Sequence, residues 1–232
     1  IQEKLKEFNL DKSTQFVRVK PRQSVSISPF EIEFIRVSHS IVDGVGLAIT
    51  TPVGTVIHTG DFKFDQTPVD GEVLDYARFS EYGEKGVLAL LSDSTNVEKD
   101  GYTISEKEIG NAFEDIFREA KGRVMVAAFS SNIHRVQQAM DVANKFGRKV
   151  CLNGKSMVAN VRIARELGYL KASDDLMVDL KEMDSLPPEN VCLITTGSQG
   201  EPMSALTRMA MDDHKHIKIL KADTVILSSK FI

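Results

Sequence analysis

VCLITTGSQGEPMSALTRMA, residues 191–210, runs from an apolar β-rich stretch (Val191, Cys192, Leu193, Ile194) through two glycines, Gly197 and Gly200, into helix formers from Met203 onward. The pattern reads as strand, glycine loop, helix. A helix that starts after such a loop turns unpaired N–H groups and the positive end of its dipole toward the crevice, and glycines let a phosphate reach the backbone. Thr195, Thr196 and Ser198 add hydroxyls there. Taken alone, the stretch reads equally as a tight connection whose glycines serve only the turn.

Working outward, the same turn recurs. Residues 87–91 and 124–129 are strand-like, and Ser105 with Glu108 has the spacing of a capping box ahead of a helix that reaches Ala120. Ser130, Ser131 and Asn132 open a helix carrying Ile133, Val136, Ala139, Met140 and Ala143. Residues 150–152 form another strand, with Gly154 and Ser156 before the next helix, and residues 224–227 a last one ending in Ser228 and Ser229. Alternating strands and helices predict a doubly wound, mainly parallel sheet. Small or hydroxyl residues at four strand ends stand where such a sheet places its ligand, outside the carboxyl edge. Each of them alone is an ordinary helix cap; together they predict a shared phosphate-binding crevice.

Earlier in the chain the pattern is β. Residues 16–19, 32–37, 45–49 and 53–57 alternate as a meander of antiparallel strands, after a short amphipathic segment with Ile1, Leu5 and Phe8 at helical spacing. A polar, proline-bearing passage follows to Gly86, and an organisational break falls near Val97. His39 and Asp61 each follow a strand and sit in turn-rich loops. Imidazole and carboxylate from adjacent strand ends are ligand types of hydrolytic zinc or manganese sites. A polar loop histidine and a turn aspartate are the alternative readings. Asp93 is a supporting carboxylate or a turn former. Asp212, Asp213, His214 and His216 read as a solvated loop.

Composition bounds the rest. The 232 residues are 42% hydrophobic and 27% charged, enough for a sizeable core, and the net charge of −4 argues against a generally basic surface that coats nucleic acid. No apolar run approaches the roughly 20 residues of a membrane span. Cys151 and Cys192 lie in apolar strand-like runs, so buried thiols in a reducing, cytoplasmic setting are expected. The absence of an initial methionine and the stop after a strand-like run lead us to expect an internal piece of a longer protein.

The motifs SHSIVDG (38–44), HTGDFKFDQTP (58–68), LLSDSTN (90–96), FSSNIHRVQQ (129–138), TTGSQGEPMSALTRMA (195–210) and DTVILSS (223–229) resemble the ribonuclease J family of the metallo-β-lactamase superfamily, beta-CASP branch. The resemblance runs through nearly the whole chain. It implies an α/β fold with a partial metallo-β-lactamase sheet portion over residues 1–96, followed over residues 97–232 by a beta-CASP domain truncated at its C-terminal end. The function it implies is 5′-to-3′ exoribonuclease and endoribonuclease action in RNA maturation and decay, by a water activated between two metals. Zinc is the implied metal, with manganese or magnesium as alternatives. His39 would then be a metal ligand, Asp61 the bridging aspartate, and Asp93 the residue orienting a metal-bound histidine. Ser130, Ser131, Asn132, His134, Arg135, Ser156, Thr196, Gly197, Ser198, Gln199, Gly200, Glu201, Ser228 and Ser229 would hold a 5′ phosphate or the backbone of single-stranded RNA. No membrane partner is implied; a homo-oligomeric parent in an RNA-degrading assembly is. The family's HxHxDH signature is absent, since the only His-x-His is His214 to His216 without a following Asp-His. The chain alone is therefore expected to hold metal partially or not at all and to be inactive. A nonenzymatic α/β nucleotide-binding module and a small-molecule metallohydrolase are the rival classes.

Overall fold

A computed structural model describes residues 1–229. Lys230, Phe231 and Ile232, where the sequence stops, lie outside the described residues. The chain divides into two compact units, one of Ile1–Arg36, Val45–Gly60 and Asp75–Ser92, the other of Val37–Gly44, Asp61–Leu74 and Asp93–Ile232.

In the first unit, α1 (Gln2–Glu7) precedes a meander of β1 (Ser24–Ile27), β2 (Phe30–Arg36), β3 (Val45–Thr51) and β4 (Gly54–His58), antiparallel throughout. The alternation that predicts β2, β3 and β4 is met, because one face of each strand is buried: Ile35, Ala48 and Ile57 make a small core with Phe79, Tyr82 and Val87. The strand expected over residues 16–19 is absent. Phe16 and Val17 are exposed there, and pairing with β2 begins only where the Arg22 N–H donates to Phe34. The polar, proline-bearing passage contains α2 (Tyr76–Lys85), capped by Asp75, whose carboxylate accepts from the Arg78 N–H at 3.1 Å. Its Arg78 donates to both Glu33 oxygens at 2.6 Å, and the Tyr82 hydroxyl adds a third contact at 2.7 Å, clasping α2 to β2. β5 (Ala89–Leu91), expected within the later alternating series, instead joins this sheet parallel to β4. Among the described residues the strand order is β1-β2-β3-β4-β5.

The second unit alternates as predicted, with β8 and α6 added between the expected elements: α3 (Glu106–Glu119), β6 (Val124–Ala127), α4 (Ile133–Lys145), β7 (Lys149–Leu152), α5 (Lys155–Glu166), β8 (Met177–Val178), α6 (Leu180–Ser185), β9 (Val191–Thr195), α7 (Ala205–Ala210) and β10 (Thr224–Leu227). Among the described residues all its strand pairs are parallel, in the order β10-β6-β9-β7-β8. Successive strand residues face opposite sides. Val124, Val126, Cys192 and Ile194 therefore join the core under α3, α4 and α5, whereas Met125, Leu193 and Cys151 meet Met183 of α6 and Met209 of α7. The sheet is doubly wound. Phe113 and Phe117, each 2% exposed with ring centroids 6.5 Å apart, anchor α3 in the larger core.

Ser105 caps α3 by accepting from the Lys107 N–H at 3.3 Å, one residue earlier than the expected capping box with Glu108. A complete capping box occurs instead at Asp179 and Glu182 of α6. At the amino edge of the sheet the buried Arg148 donates to the carbonyls of Gly122 at 2.7 Å, Ala120 at 2.8 Å and Val191 at 3.2 Å. Both cysteines are buried and unbridged, and burial first of all pushes their thiols up, Cys151 to about 11 and Cys192 to about 12. Among the described residues no helix is long and apolar enough to cross a membrane.

Candidate functional site

β9 sends its chain to α7 on one face of the parallel sheet, while β6 and β7 on either side send theirs to α4 and α5 on the other. Neighbouring strands whose connections diverge leave a crevice at their carboxyl ends. The end of β9 therefore borders two crevices, one toward β6 and one toward β7.

The β6 side collects most of the predicted phosphate residues. Asn132 caps α4, its side-chain oxygen accepting from the Arg135 N–H at 3.1 Å, as the placement of residues 130–132 predicts. Ser130 is held by the Asn160 amide, at 3.0 Å to its carbonyl and 3.1 Å to its hydroxyl. Across the crevice, the Gly197 carbonyl accepts from the Gly200 N–H, and the Glu201 carboxylate accepts from the Gln199 N–H at 3.1 Å, so Glu201 shapes the loop from within. The Ser229 hydroxyl donates to the Ser198 carbonyl at 3.0 Å, joining the loop after β10 to the glycine loop. Ser198 is 3% exposed, and its hydroxyl has no hydrogen-bond partner among the described residues. A buried orphan hydroxyl is costly and invites a ligand oxygen.

Arg135 is placed differently from a free phosphate binder. It is buried, contacting the Glu106 carboxylate and the Ser228 hydroxyl closely, with a further bond to the Ser228 carbonyl at 3.2 Å. Glu106 also accepts from Lys63 Nζ at 2.9 Å, and its own N–H donates to Asp65 at 3.0 Å. Burial pushes the Glu106 carboxyl up, but Arg135 and Lys63 outweigh it and hold the group below its ordinary value. His134 stands 3.4 Å from Asp70. The sequence reading missed Lys63, Asp70 and Glu106, because these contacts span from 29 to 64 positions that no local motif records.

The loops bearing the predicted metal ligands belong to this second unit. Val42 packs against the larger core, Asp43 contacts the Tyr169 hydroxyl, and the Lys63 N–H donates to the Ser38 carbonyl at 2.8 Å. In this arrangement His39 Nε2 lies 3.9 Å from Asp61 Oδ2. Asp93 accepts from the Thr95 N–H at 2.9 Å and the Thr95 hydroxyl at 2.7 Å. These bonds first of all, with the Phe62 N–H and His39 adding less, hold its carboxyl below its ordinary value. His39 and Asp61 are donors that suit a borderline divalent ion, but a closed site takes three or four. Among the described residues no three His, Cys, Asp or Glu side chains gather to hold a metal. The pair fits as part of such a centre only.

The family described as ribonuclease J, beta-CASP domain, matches residues 121–232, and proteins named ribonuclease J match essentially the whole chain. The chain belongs to the ribonuclease J family. It is 50% identical to ribonuclease J of Helicobacter pylori strain J99 over 99% of the chain and 33% of that protein. Identity is 46% to ribonuclease J of Synechocystis, over 99% and 36%, and 45% to that of Thermus thermophilus, over 97% and 40%. The chain thus spans between a third and two fifths of the length of these ribonuclease J relatives. A solved structure of a protein of unknown function from Enterococcus faecalis V583 shares the fold, with a TM-score of 0.57 at 13% identity over 91% of this chain and 57% of that one. Metal cofactors are implied by ribonuclease J membership; the metal's identity is not.

Proposed function

We propose that the chain is the RNA-holding part of a metal-dependent ribonuclease of the cytoplasm, acting from the 5′ end and internally on single-stranded RNA. In this reading residues 1–96 are a partial metallo-β-lactamase portion and residues 97–232 the beta-CASP domain. The observation that carries it is the chain of contacts Lys63–Glu106–Arg135–Ser228, which holds the Asp61-bearing loop and the loop after β10 in one arrangement. Those contacts would keep the proposed hydrolytic donors and phosphate-holding loops at fixed separation, which phosphodiester cleavage at a measured distance from a 5′ end requires.

His39 and Asp61 would contribute to the metal centre, with Asp93 orienting a partner histidine. A bound pair of divalent ions would supply an acidified water and charge stabilisation at the phosphodiester. Ser130, Ser131, Asn132, Thr196, Gly197, Ser198, Gln199, Gly200, Ser228 and Ser229 would hold the 5′ phosphate. Ser198 would donate to a phosphate oxygen, and the amino end of α4 would add its backbone donors. Arg135 and Glu201 serve by shaping these loops. Recognition is of phosphate and ribose, since aromatics for base stacking are only 7% of residues.

The test compares binding of one short RNA with a 5′ monophosphate or a 5′ hydroxyl to the chain. Loss of charge-assisted hydrogen bonds worth about 1 to 3 kcal/mol weakens the hydroxyl form by roughly 5- to 150-fold. Ser198→Ala reduces that preference while keeping the fold. Equal binding of the two RNAs refutes the reading.

A further inference from the structure

The crevice on the other side of β9 is a cavity of about 890 Å³ with its own chemistry. Four cationic or ionisable basic groups line it, Lys155, Arg162, Arg208 and His214, and no carboxylate is among the lining residues. Val158, Leu180 and Met203 supply an apolar wall. The first turn of the 12-residue α5 opens here after Gly154, a residue with no side chain to cap the helix. This is the second place where the sheet's connections diverge, and of the predicted phosphate residues it takes in Ser156 and Thr196.

The cations are weakly neutralised. Arg162 meets Glu166 at 3.8 Å with both side chains more than half exposed, which leaves the charge largely available. Lys155, exposed, has no ion-pair partner among the described residues. Arg208 Nε faces the Asp213 carboxylate at 3.4 Å without making a hydrogen bond, and its Nη2 donates to the Asp213 carbonyl at 3.0 Å.

His214 adds a donor by elimination. Its Nδ1 accepts from the N–H groups of His216 at 3.3 Å and Ile217 at 3.1 Å, so Nδ1 carries no proton and Nε2 does. Burial first, then Arg208 and His216, hold the imidazole below its ordinary value, consistent with that neutral form. Asn153 Nδ2 stands 3.1 Å from Nε2, and with the proton on Nε2 the pair bonds when the amide is turned over so that Oδ1 accepts it.

We propose that this cavity binds a nucleoside monophosphate unit, its phosphate on Lys155, Arg162 and the opening turn of α5, and its base against Val158, Leu180 and Met203. The volume exceeds what one nucleotide fills and falls within the range of small-molecule sites. A cation-lined pocket with one apolar wall discriminates for a phosphate bearing an apolar planar group over either piece alone. The inference stands on the sheet topology and the cavity lining, and it does not depend on the ribonuclease reading. The unit has two sources: a free mononucleotide, or one nucleotide within an RNA strand.

Titration calorimetry of the full chain with AMP, adenosine, orthophosphate and a 5′-hydroxyl oligoadenylate hexamer decides the matter. AMP should bind at least tenfold more tightly than adenosine or orthophosphate. Arg162→Glu and Lys155→Glu, both at exposed positions that leave the fold intact by circular dichroism, should each weaken it about tenfold or more. Lys121→Glu, exposed at the opposite, amino edge of the sheet, should leave it within about twofold. If the hexamer binds with the same sensitivity to Arg162→Glu while AMP does not bind, the pocket takes a nucleotide of RNA and the proposal stands. It is overturned if neither ligand binds, if orthophosphate binds as well as AMP, if both charge reversals are silent, or if Lys121→Glu costs as much as Arg162→Glu.

Discussion

Replacing Gly197 by alanine tests the glycine loop as a built object. Its φ is +108°, a backbone region that L side chains rarely adopt, and holding one there costs about 1 to 3 kcal/mol. An added Cβ would also stand 2.4 Å from Ser204 Oγ, 2.9 Å from Leu206 Cβ and 3.1 Å from Ser204 Cβ. Ser204 is the N-cap of α7, and displacing it forfeits a cap worth about 0.5 to 2 kcal/mol. Gly197→Ala should therefore cost about 2 to 5 kcal/mol. Gly200 is the internal control: its φ is +71° and nothing lies within 4 Å of a Cβ built on it, so Gly200→Ala carries only a left-handed backbone cost of about 1 to 2 kcal/mol. Urea denaturation read through hydrogen exchange of the β9 amides reports on this sheet directly. Equal losses for the two variants would show that crowding at Ser204 contributes nothing, and the account of the loop would fail.

Glu106→Gln should destabilise the chain by about 2 to 4 kcal/mol at neutral pH, because it leaves Arg135 and Lys63 without their shared carboxylate. The folded-state carboxyl titrates below its ordinary 4.5, so its contribution is complete above that pH and is lost as pH falls through the folded value. Denaturation midpoints across acid pH should converge for parent and variant; parallel curves would refute the assignment. Phe117→Ala, at a 2% exposed core position, should cost about 3 to 5 kcal/mol in thermal or urea unfolding. Cys151 and Cys192 should resist iodoacetamide at pH 8 in the native chain and react fully in denaturant, as read by mass spectrometry. Incubated alone with 5′-monophosphorylated RNA and Mn²⁺ or Zn²⁺, the chain should release no mononucleotides, since its His39 and Asp61 do not close a metal site. Release at a rate near that of a full-length relative would refute this.

What was legible in the sequence was whatever a local pattern encodes. The period-2 burial of β2, β3 and β4, the Asn132 cap and the strand-loop-helix at β9 each depend on residues within a few positions of one another. α2 had a local signal that went unread: Asp75 as cap, then Tyr76, Phe79 and Tyr82 at intervals of three. The pairing of β5 with β4 had none, since which sheet a three-residue strand joins is decided by long-range contacts. The same holds at the site. His39 and Asp61 were legible as residue types, but their anchoring through Val42, Asp43 and Lys63 was not. His214 reads in sequence as one polar residue among several, and only its two backbone donors and Asn153 make it part of a cavity.

Arg148 gives the parallel sheet two ends with different histories open to them. By gathering the carbonyls of Ala120, Gly122 and Val191 it ties the entries of three chain segments to one side chain, far along the strands from every loop that faces a crevice. Substitutions at the crevice end can therefore accumulate, altering which ligand is held, while the opposite end keeps the strands in register. A lineage descended from this sheet would be free to change its chemistry quickly and its architecture slowly. Arg148 would be among the last residues to be exchanged, because no other side chain spans three carbonyls from one planar group.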